Sequence, residues 1–189
     1  MIFFFKVVFD RQTIKLILFL TVCFLSSIII GKYFGNLFFV PISPQVKKLS
    51  SESMDFIPLL RKIFFNNYLV AIFIVFIGYF TGGIATVFAV VLNGLKSGFE
   101  MNHFDINKVG GEIGLAKRLI FHAPLELFAL FLMGSIGLRS FYIVKDFIKT
   151  KKFSYDTSLI SQQMVYQYFT GSLLLLIAAI IEAIVPKIL

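Results

Sequence analysis

Residues 112–139 form a stretch that is apolar enough to cross a bilayer, yet it carries the polar residues His122 and Glu126 and a helix breaker, Pro124, inside its apolar run. A charged side chain at membrane depth costs roughly 2.5 to 3.5 kcal/mol on insertion scales, so it normally faces the protein interior. His122 and Glu126 are four residues apart and therefore share one face of a helix. Because Pro124 lacks the N–H that the helix ladder needs, we expect a kink or a break beside them. The stretch predicts a polar site inside a membrane-spanning helix.

The composition predicts that the whole chain belongs in a membrane. Of its 189 residues, 58% are hydrophobic, 25 are Phe and only 15% are charged, against about 25% charged in soluble domains. Several runs approach the ~20 apolar residues that span a bilayer, and an open sheet edge could not be satisfied in lipid. We therefore predict an all-α integral membrane protein, a single transmembrane domain over residues 1–189, built as a bundle of about four to five transmembrane helices with Gly/Pro-interrupted central segments.

The net charge of +8 indicates an anionic partner. The Lys and Arg residues flank the hydrophobic segments instead of forming one stripe, which favours lipid headgroups and argues against nucleic acid. These residues divide almost equally between the two sides of a four-span or a five-span arrangement, so they predict no orientation in the membrane.

The first third of the chain contains one span and an extramembrane segment. Residues 1–13 are apolar and basic, which is typical either of a short interfacial lead or of a frayed start to the first span. That span covers residues 14–31. Residues 32–65 follow as an extramembrane segment with three prolines. Within it, residues 53–65 alternate apolar pairs with charges and predict a surface helix that leads into the next span.

Residues 64–101 are apolar almost throughout and too long for one comfortable crossing. A helix over residues 68–94 would be about 40 Å long against a hydrocarbon core of about 30 Å. Either residues 78–83, GYFTGG, separate two short spans, or a single long span is kinked there. Four-residue glycine spacings favour close helix packing under both alternatives. The positions predicted to pack or break helices are Gly78, Gly82, Gly83, Gly94, Gly98 and Pro124.

The last two spans are predicted to bring polar groups together. One span ends near Arg139, residues 140–165 form a polar and basic connection, and the final span covers residues 166–185 and contains Glu182. In such a hairpin, Glu126 lies roughly 10 Å and Glu182 roughly 5 Å from the same membrane face. Two carboxylates at similar depth would need a shared proton, a cation or a basic side chain from a partner.

Three interpretations of this polar cluster stay open: a structural cluster, a site for a partner or a peptide, and metal or proton chemistry. Its predicted members are His122, Glu126, Glu182, Asn67 and Asn93. A His and a Glu four residues apart are a weak metal signal without a HExxH motif or a Cys pair, so we predict no metal site. We predict no catalytic residues and no cofactor, since neither a Ser-His-Asp set nor a phosphate-binding glycine loop can be assembled.

Several short motifs occur in an order typical of one family. They are FFNN (64–67), G-x3-GG (78–83), LNG-x3-G (92–98), HAPLELFA (122–129), MGSIGL (133–138) and AAIIEAI (178–184). In this order the chain resembles the stage II sporulation protein M family over residues 60–185, with a family-like core at 64–185 and no part of the resemblance in the first 60 residues. The family's third motif reads approximately His-Gly-x-x-Glu. Here Ala123 follows His122, a departure that leaves the roles of His122 and Glu126 intact.

The resemblance implies a multi-pass protein of the prokaryotic cell membrane with no known enzymatic activity. The sporulation member of the family anchors cell-wall hydrolases, and other members resemble accessory proteins of ABC transporter ATPases, including those that serve bacteriocin export and immunity. The partners implied are membrane lipids, other membrane proteins such as an ABC transporter ATPase, its permease or wall hydrolases, a small hydrophobic peptide, and further copies of the chain in an oligomer.

We therefore expect a non-enzymatic membrane subunit that acts as a scaffold or accessory component of a membrane complex through the His/Glu cluster. A second hypothesis is a transport component that works with a separate ABC ATPase, in which the cluster lines a path for a small bacteriocin-like peptide. A third hypothesis is an intramembrane peptide-processing enzyme that uses His122 and the carboxylates.

Overall fold

The computed structural model describes residues 8–37, 55–103, 111–151 and 157–188, and every regular element in these ranges is a helix. The helices are α1 (Arg11–Phe34), α2 (Phe56–Phe80), α3 (Ile84–His103), α4 (Gly111–Thr150) and α5 (Thr157–Ile188), with a 3-10 turn at Gly35–Leu37 after α1. Within these ranges, four segments are long and apolar enough to cross a membrane: Arg11–Phe34, Phe56–Phe80, Ala123–Thr150 and Ile160–Ile184. The apolar part of α3, Ile84–Phe99, is shorter. The predicted class, an all-helical membrane protein, is confirmed.

The central helix of the bundle is α4. In its most apolar stretch 67% of the residues are buried, against 22–28% in α1, α2 and α5. Every residue from 129 to 140 is buried, because α1, α2 and α5 all pack against α4. The surrounding helices turn large apolar side chains such as Phe73 and Leu173 outward, as expected of surfaces that face lipid. Arg139 was predicted at the end of a span, but it lies in the interior, within a helix that continues to Thr150.

The first helix begins earlier than predicted, because Asp10 caps it. The Asp10 carboxylate accepts the backbone N–H of Thr13 at 3.1 Å, which satisfies one of the free N–H groups at the start of a helix. Val8 and Thr13 are completely buried. The end of the predicted interfacial lead therefore lies inside the bundle, while residues 1–7 lie outside the described part of the chain.

Helices α2 and α3 form a hairpin, so of the two arrangements predicted for residues 64–101 the broken one occurs. Gly82 and Gly83 adopt positive φ angles of 63° and 86° in the turn, a conformation that glycine reaches without steric cost. The second helix begins at Phe56 and continues to the hairpin, so the predicted surface helix and the following span are one helix. Residues 38–54 of the predicted extramembrane segment are not among those described.

Glycines bring helix backbones close together at two crossings. Gly94 and Gly98 of α3 lie against the backbone of α1, where a Cβ atom on Gly94 would lie 2.7 Å from the Phe24 carbonyl oxygen. Gly78 of α2 and Gly137 of α4 face each other, and a Cβ atom on Gly78 would lie 3.3 Å from the Cα atom of Gly137. Small residues permit such approaches between membrane helices.

The fourth helix runs through Pro124 without interruption, so the predicted break does not occur. Proline removes one hydrogen bond from a helix. Membrane helices tolerate that loss where neighbouring helices or local adjustments satisfy the freed carbonyl group. Because α4 continues to Thr150 and α5 starts at Thr157, the connection between the last two helices is also shorter than the predicted 140–165.

Candidate functional site

Helices α4 and α5 run antiparallel and carry Glu126 and Glu182 to the same part of the bundle. Small residues set the spacing of the two helices, since a Cβ atom on Gly171 would lie 2.9 Å from the Met133 sulfur. The carboxyl groups are close enough for the negative charge of Glu182 to act on Glu126, and both residues are half-buried. The structure thus places two acidic side chains from separate membrane-crossing helices within electrostatic range of each other.

This arrangement determines what the pair can do chemically. Two carboxylates in such a setting repel each other and lose part of their hydration, so holding both in the charged form lowers stability. A shared proton, a bound cation or a basic side chain offsets that loss. Because both residues are only half-buried, the pair can be reached from outside the helices that carry it.

The other predicted members of the cluster are placed differently. His122 belongs to α4, but its side chain lies outside what the structure describes. Asn67 is half-buried on α2. Asn93 lines a shallow groove between α2 and α3, together with Leu69 and Phe73. Among the described side chains, no three of the His, Cys, Asp or Glu type come together as metal ligands would.

Sequence reasoning missed a second polar cluster, which lies further along α4 and is centred on Arg139. The Arg139 side chain is 4% exposed, and acceptors from both ends of the chain surround its guanidinium group. Nη2 donates to Asp10 Oδ1 at 2.8 Å and to the Thr13 hydroxyl at 2.6 Å, and Nη1 donates to Gln163 Oε1 at 2.7 Å. One buried cation therefore joins α1, α4 and α5.

Thr13 and Gln167 complete this cluster. The Thr13 hydroxyl donates to the Asp10 carboxylate. It also accepts hydrogen bonds from Arg139 and from Gln167 Nε2, at 2.6 Å each, so its one donor and two acceptor positions are all used. Gln167 Nε2 also donates to the Val8 carbonyl at 3.0 Å. Because the guanidinium group is buried where three helices meet, the cluster orders these helices.

Two sequence signals could have revealed the Arg139 cluster. Gln163 and Gln167 are four residues apart, so they place two amides on one face of an otherwise apolar helix. Asp10 followed by Thr13 is typical of a helix N-cap. The signal from Arg139 itself was concealed, because a basic residue after an apolar run is also typical of a span end.

A family model described as Stage II sporulation protein M matches residues 20–186. The chain belongs to this family. No curated protein and no solved structure matches the chain. The match to the Stage II sporulation protein M family begins within α1 and reaches each of the helices described above. The prediction that the first 60 residues lie outside the resemblance is therefore wrong, because the family pattern includes much of the first span.

The two polar clusters relate differently to the Stage II sporulation protein M match. Glu126 and Glu182 both lie within the matched residues. Arg139 lies within them too, whereas its partners Asp10 and Thr13 precede the match. The contacts that tie the start of α1 to the rest of the bundle thus combine residues inside and outside the family pattern.

Proposed function

We propose that the chain is a non-enzymatic, multi-pass subunit of a complex in the cell membrane of a prokaryote. The observation that carries this proposal is the spacing of the five described helices along the sequence, since consecutive helices are separated only by residues 35–55, 81–83, 104–110 and 151–156. None of these connections is long enough to form a domain, which takes about 50 residues or more. The helices and short connections are then the surfaces that bind partners.

The Glu126–Glu182 pair supports a role in which a partner is bound inside the membrane. Charged residues at membrane depth are costly, and by default they indicate a functional site. Since the pair is half-buried, a basic or hydrogen-bond-donating side chain from a neighbouring helix can approach it. We assign the scaffold or accessory role to this site, with another membrane protein, such as an ABC transporter permease or a membrane-bound wall hydrolase, as the partner.

Purification from native membranes in a mild detergent tests this proposal. We expect the wild-type chain to elute with one defined partner protein in size-exclusion chromatography with light scattering. Glu126→Gln and Glu182→Gln should lose that partner while the protein stays abundant and monodisperse. The matched control is Asp55→Asn, which removes an exposed acidic group that makes no capping hydrogen bond and should keep the partner. A wild-type chain that always elutes alone would contradict the proposal.

A second candidate, favoured by the same two carboxylates, is a transport component that works with a separate ABC ATPase. Acidic residues within spans commonly line the paths of ions and substrates, and the substrate class we infer is a small cationic or hydrophobic peptide. In cells that export such a peptide, Glu126→Gln should abolish export at an unchanged protein level, whereas Asp55→Asn should not. Export that persists in Glu126→Gln would leave only the scaffold role.

A further inference from the structure

Helices α1 and α3 touch along their second halves and separate toward their first halves. Gly31 of α1 lies against the backbone of Leu95, and Gly94 of α3 lies against Ser27. These contacts show that the two helices run side by side in the same direction. Toward the starts of both helices the side chains are larger, and a cleft opens between them with α4 as its floor.

The cleft has a volume of about 710 Å³, which is within the range of about 300 to 1,000 Å³ typical of small-molecule sites. Its lining is almost wholly apolar, and its main residues are Leu16, Phe19, Val87, Phe88, Leu138 and Phe141. The cleft lies where α1 and α3 begin and where α4 approaches its last turns. Because α2 ends and α3 begins beside it, the cleft lies toward one end of these helices.

One basic side chain lines the cleft and two others belong to the same stretches of α1 and α4. Lys15 lines it and is exposed. Lys145 of α4 places its Nζ atom 5.9 Å from the centre of the Phe141 ring, which belongs to the floor. Arg11 lies one turn before Lys15 on α1 and is also exposed. The site thus combines an apolar interior with a cationic mouth.

We propose that this cleft binds an anionic phospholipid from the surrounding bilayer. One acyl chain fills the apolar interior, and the phosphate group lies at Lys15 and Lys145. Lysine binds phosphate as a compact point charge, and basic side chains near the membrane surface strengthen the attraction to anionic headgroups. A second copy of the chain that docks through the same face is a poorer occupant, since it would bring the same basic mouth toward this one and like charges oppose association.

Native mass spectrometry tests whether the cleft prefers an anionic lipid. The full chain is reconstituted with equal amounts of phosphatidylglycerol and phosphatidylcholine. We expect the wild-type chain to retain phosphatidylglycerol in preference. Lys15→Gln should retain it about fivefold less, whereas Lys62→Gln, which removes an exposed lysine of α2, should match the wild type. Equal retention of the two lipids, or equal phosphatidylglycerol retention by the two variants, would overturn the proposal.

Photocrosslinking of the wild-type chain shows directly which residues contact the lipid. Phosphatidylglycerol with a diazirine in its acyl chain should label Phe19, Phe88 and Phe141, and labelling spread evenly over outward side chains such as Phe73 would overturn the proposal. Val87→Trp fills the cleft and should lose the labels, while Phe73→Trp, on the outer surface, should keep them. If these residues are not labelled in the wild type and Val87→Trp changes the oligomeric state, a second copy occupies the cleft and the proposal fails.

Discussion

The Arg139 guanidinium donates a 2.8 Å hydrogen bond to the Asp10 carboxylate, and this pair joins the central helix α4 to the start of α1. The Arg139 side chain is 4% exposed and that of Asp10 is 26% exposed, so the pair connects the interior of the bundle to its surface. Burying a guanidinium group is costly unless hydrogen bonds offset its lost hydration, and Thr13 and Gln163 accept two further hydrogen bonds from Arg139. The docking of the first span therefore depends on Arg139.

Arg139→Ala should destabilise the fold by about 3 kcal/mol, the lower end of the range for breaking a buried ion pair, because Asp10 keeps some contact with water. The control is Arg61→Ala, which removes an exposed arginine that lies 5.6 Å from the Phe65 ring and should cost about 1 kcal/mol or less. Thermal unfolding of the detergent-solubilised protein, followed by circular dichroism, measures both. Similar losses of thermal stability in the two variants would contradict the conclusion that Arg139 holds the first span against α4.

A double-mutant cycle separates the ion pair from the helix cap. Asp10→Ala removes both the partner of Arg139 and the cap of α1, whereas Asp10→Asn keeps a capping oxygen. Asp10→Ala combined with Arg139→Ala should be more stable than the sum of the single effects predicts, by about 1–3 kcal/mol. Additive losses would mean that the two side chains act independently.

The helical class could be predicted because apolar runs are local signals, and the glycine interruption at residues 78–83 indicated a hairpin as one of two alternatives. Similar distances from one membrane face could be assigned to Glu126 and Glu182, because the rise per residue of a helix gives these distances directly. The position of Asn93, in a groove between α2 and α3, depends on the rotation of its helix, which the sequence pattern does not determine. The burial of Arg139 depends on three helices packing together, and the sequence near Arg139 carries no signal that distinguishes this from a span end.

Two glycines at the α2–α4 crossing, Gly78 and Gly137, should differ in how far a second substitution restores the stability lost on Gly→Ala. A Cβ atom on Gly78 would overlap mainly the Thr86 hydroxyl, whereas one on Gly137 would also lie 2.5 Å from the Ile74 carbonyl oxygen. Both Gly→Ala variants should lose about 1–3 kcal/mol. Adding Thr86→Ala should restore most of the stability of Gly78→Ala and little of that of Gly137→Ala, because a backbone carbonyl cannot be removed.

Thermal unfolding of the single and double glycine variants checks this difference. Thr86→Ala alone is the necessary control, since it loses the 2.9 Å hydrogen bond from the Thr86 hydroxyl to the Ile74 carbonyl. Equal rescue of Gly78→Ala and Gly137→Ala would show that the Ile74 carbonyl does not limit the crossing.

Substitutions of the two glycines in the turn between α2 and α3 should destabilise the protein to different extents. Gly82→Ala should cost about 1 kcal/mol, because φ is 63° and open space surrounds the position. Gly82→Asn should cost less, since Asn adopts left-handed conformations more readily. Gly83→Ala should cost most, because a Cβ atom there would also lie 2.7 Å from the Leu138 side chain. Unfolding midpoints measure the order, and an Asn variant less stable than the Ala variant at position 82 would refute the φ argument.

Relief of the repulsion between Glu126 and Glu182 should make the isolated chain more stable. Glu126→Gln keeps the size of the side chain but removes an acidic group that loses hydration in the bundle and is repelled by Glu182, so we expect a higher unfolding midpoint. Asp55→Asn should leave the unfolding midpoint unchanged. A gain in stability together with loss of the partner protein is typical of a functional site that is maintained at the expense of stability. If Glu126→Gln instead destabilises the isolated chain, the carboxylate belongs to a structural ion pair and the proposed partner site loses its basis.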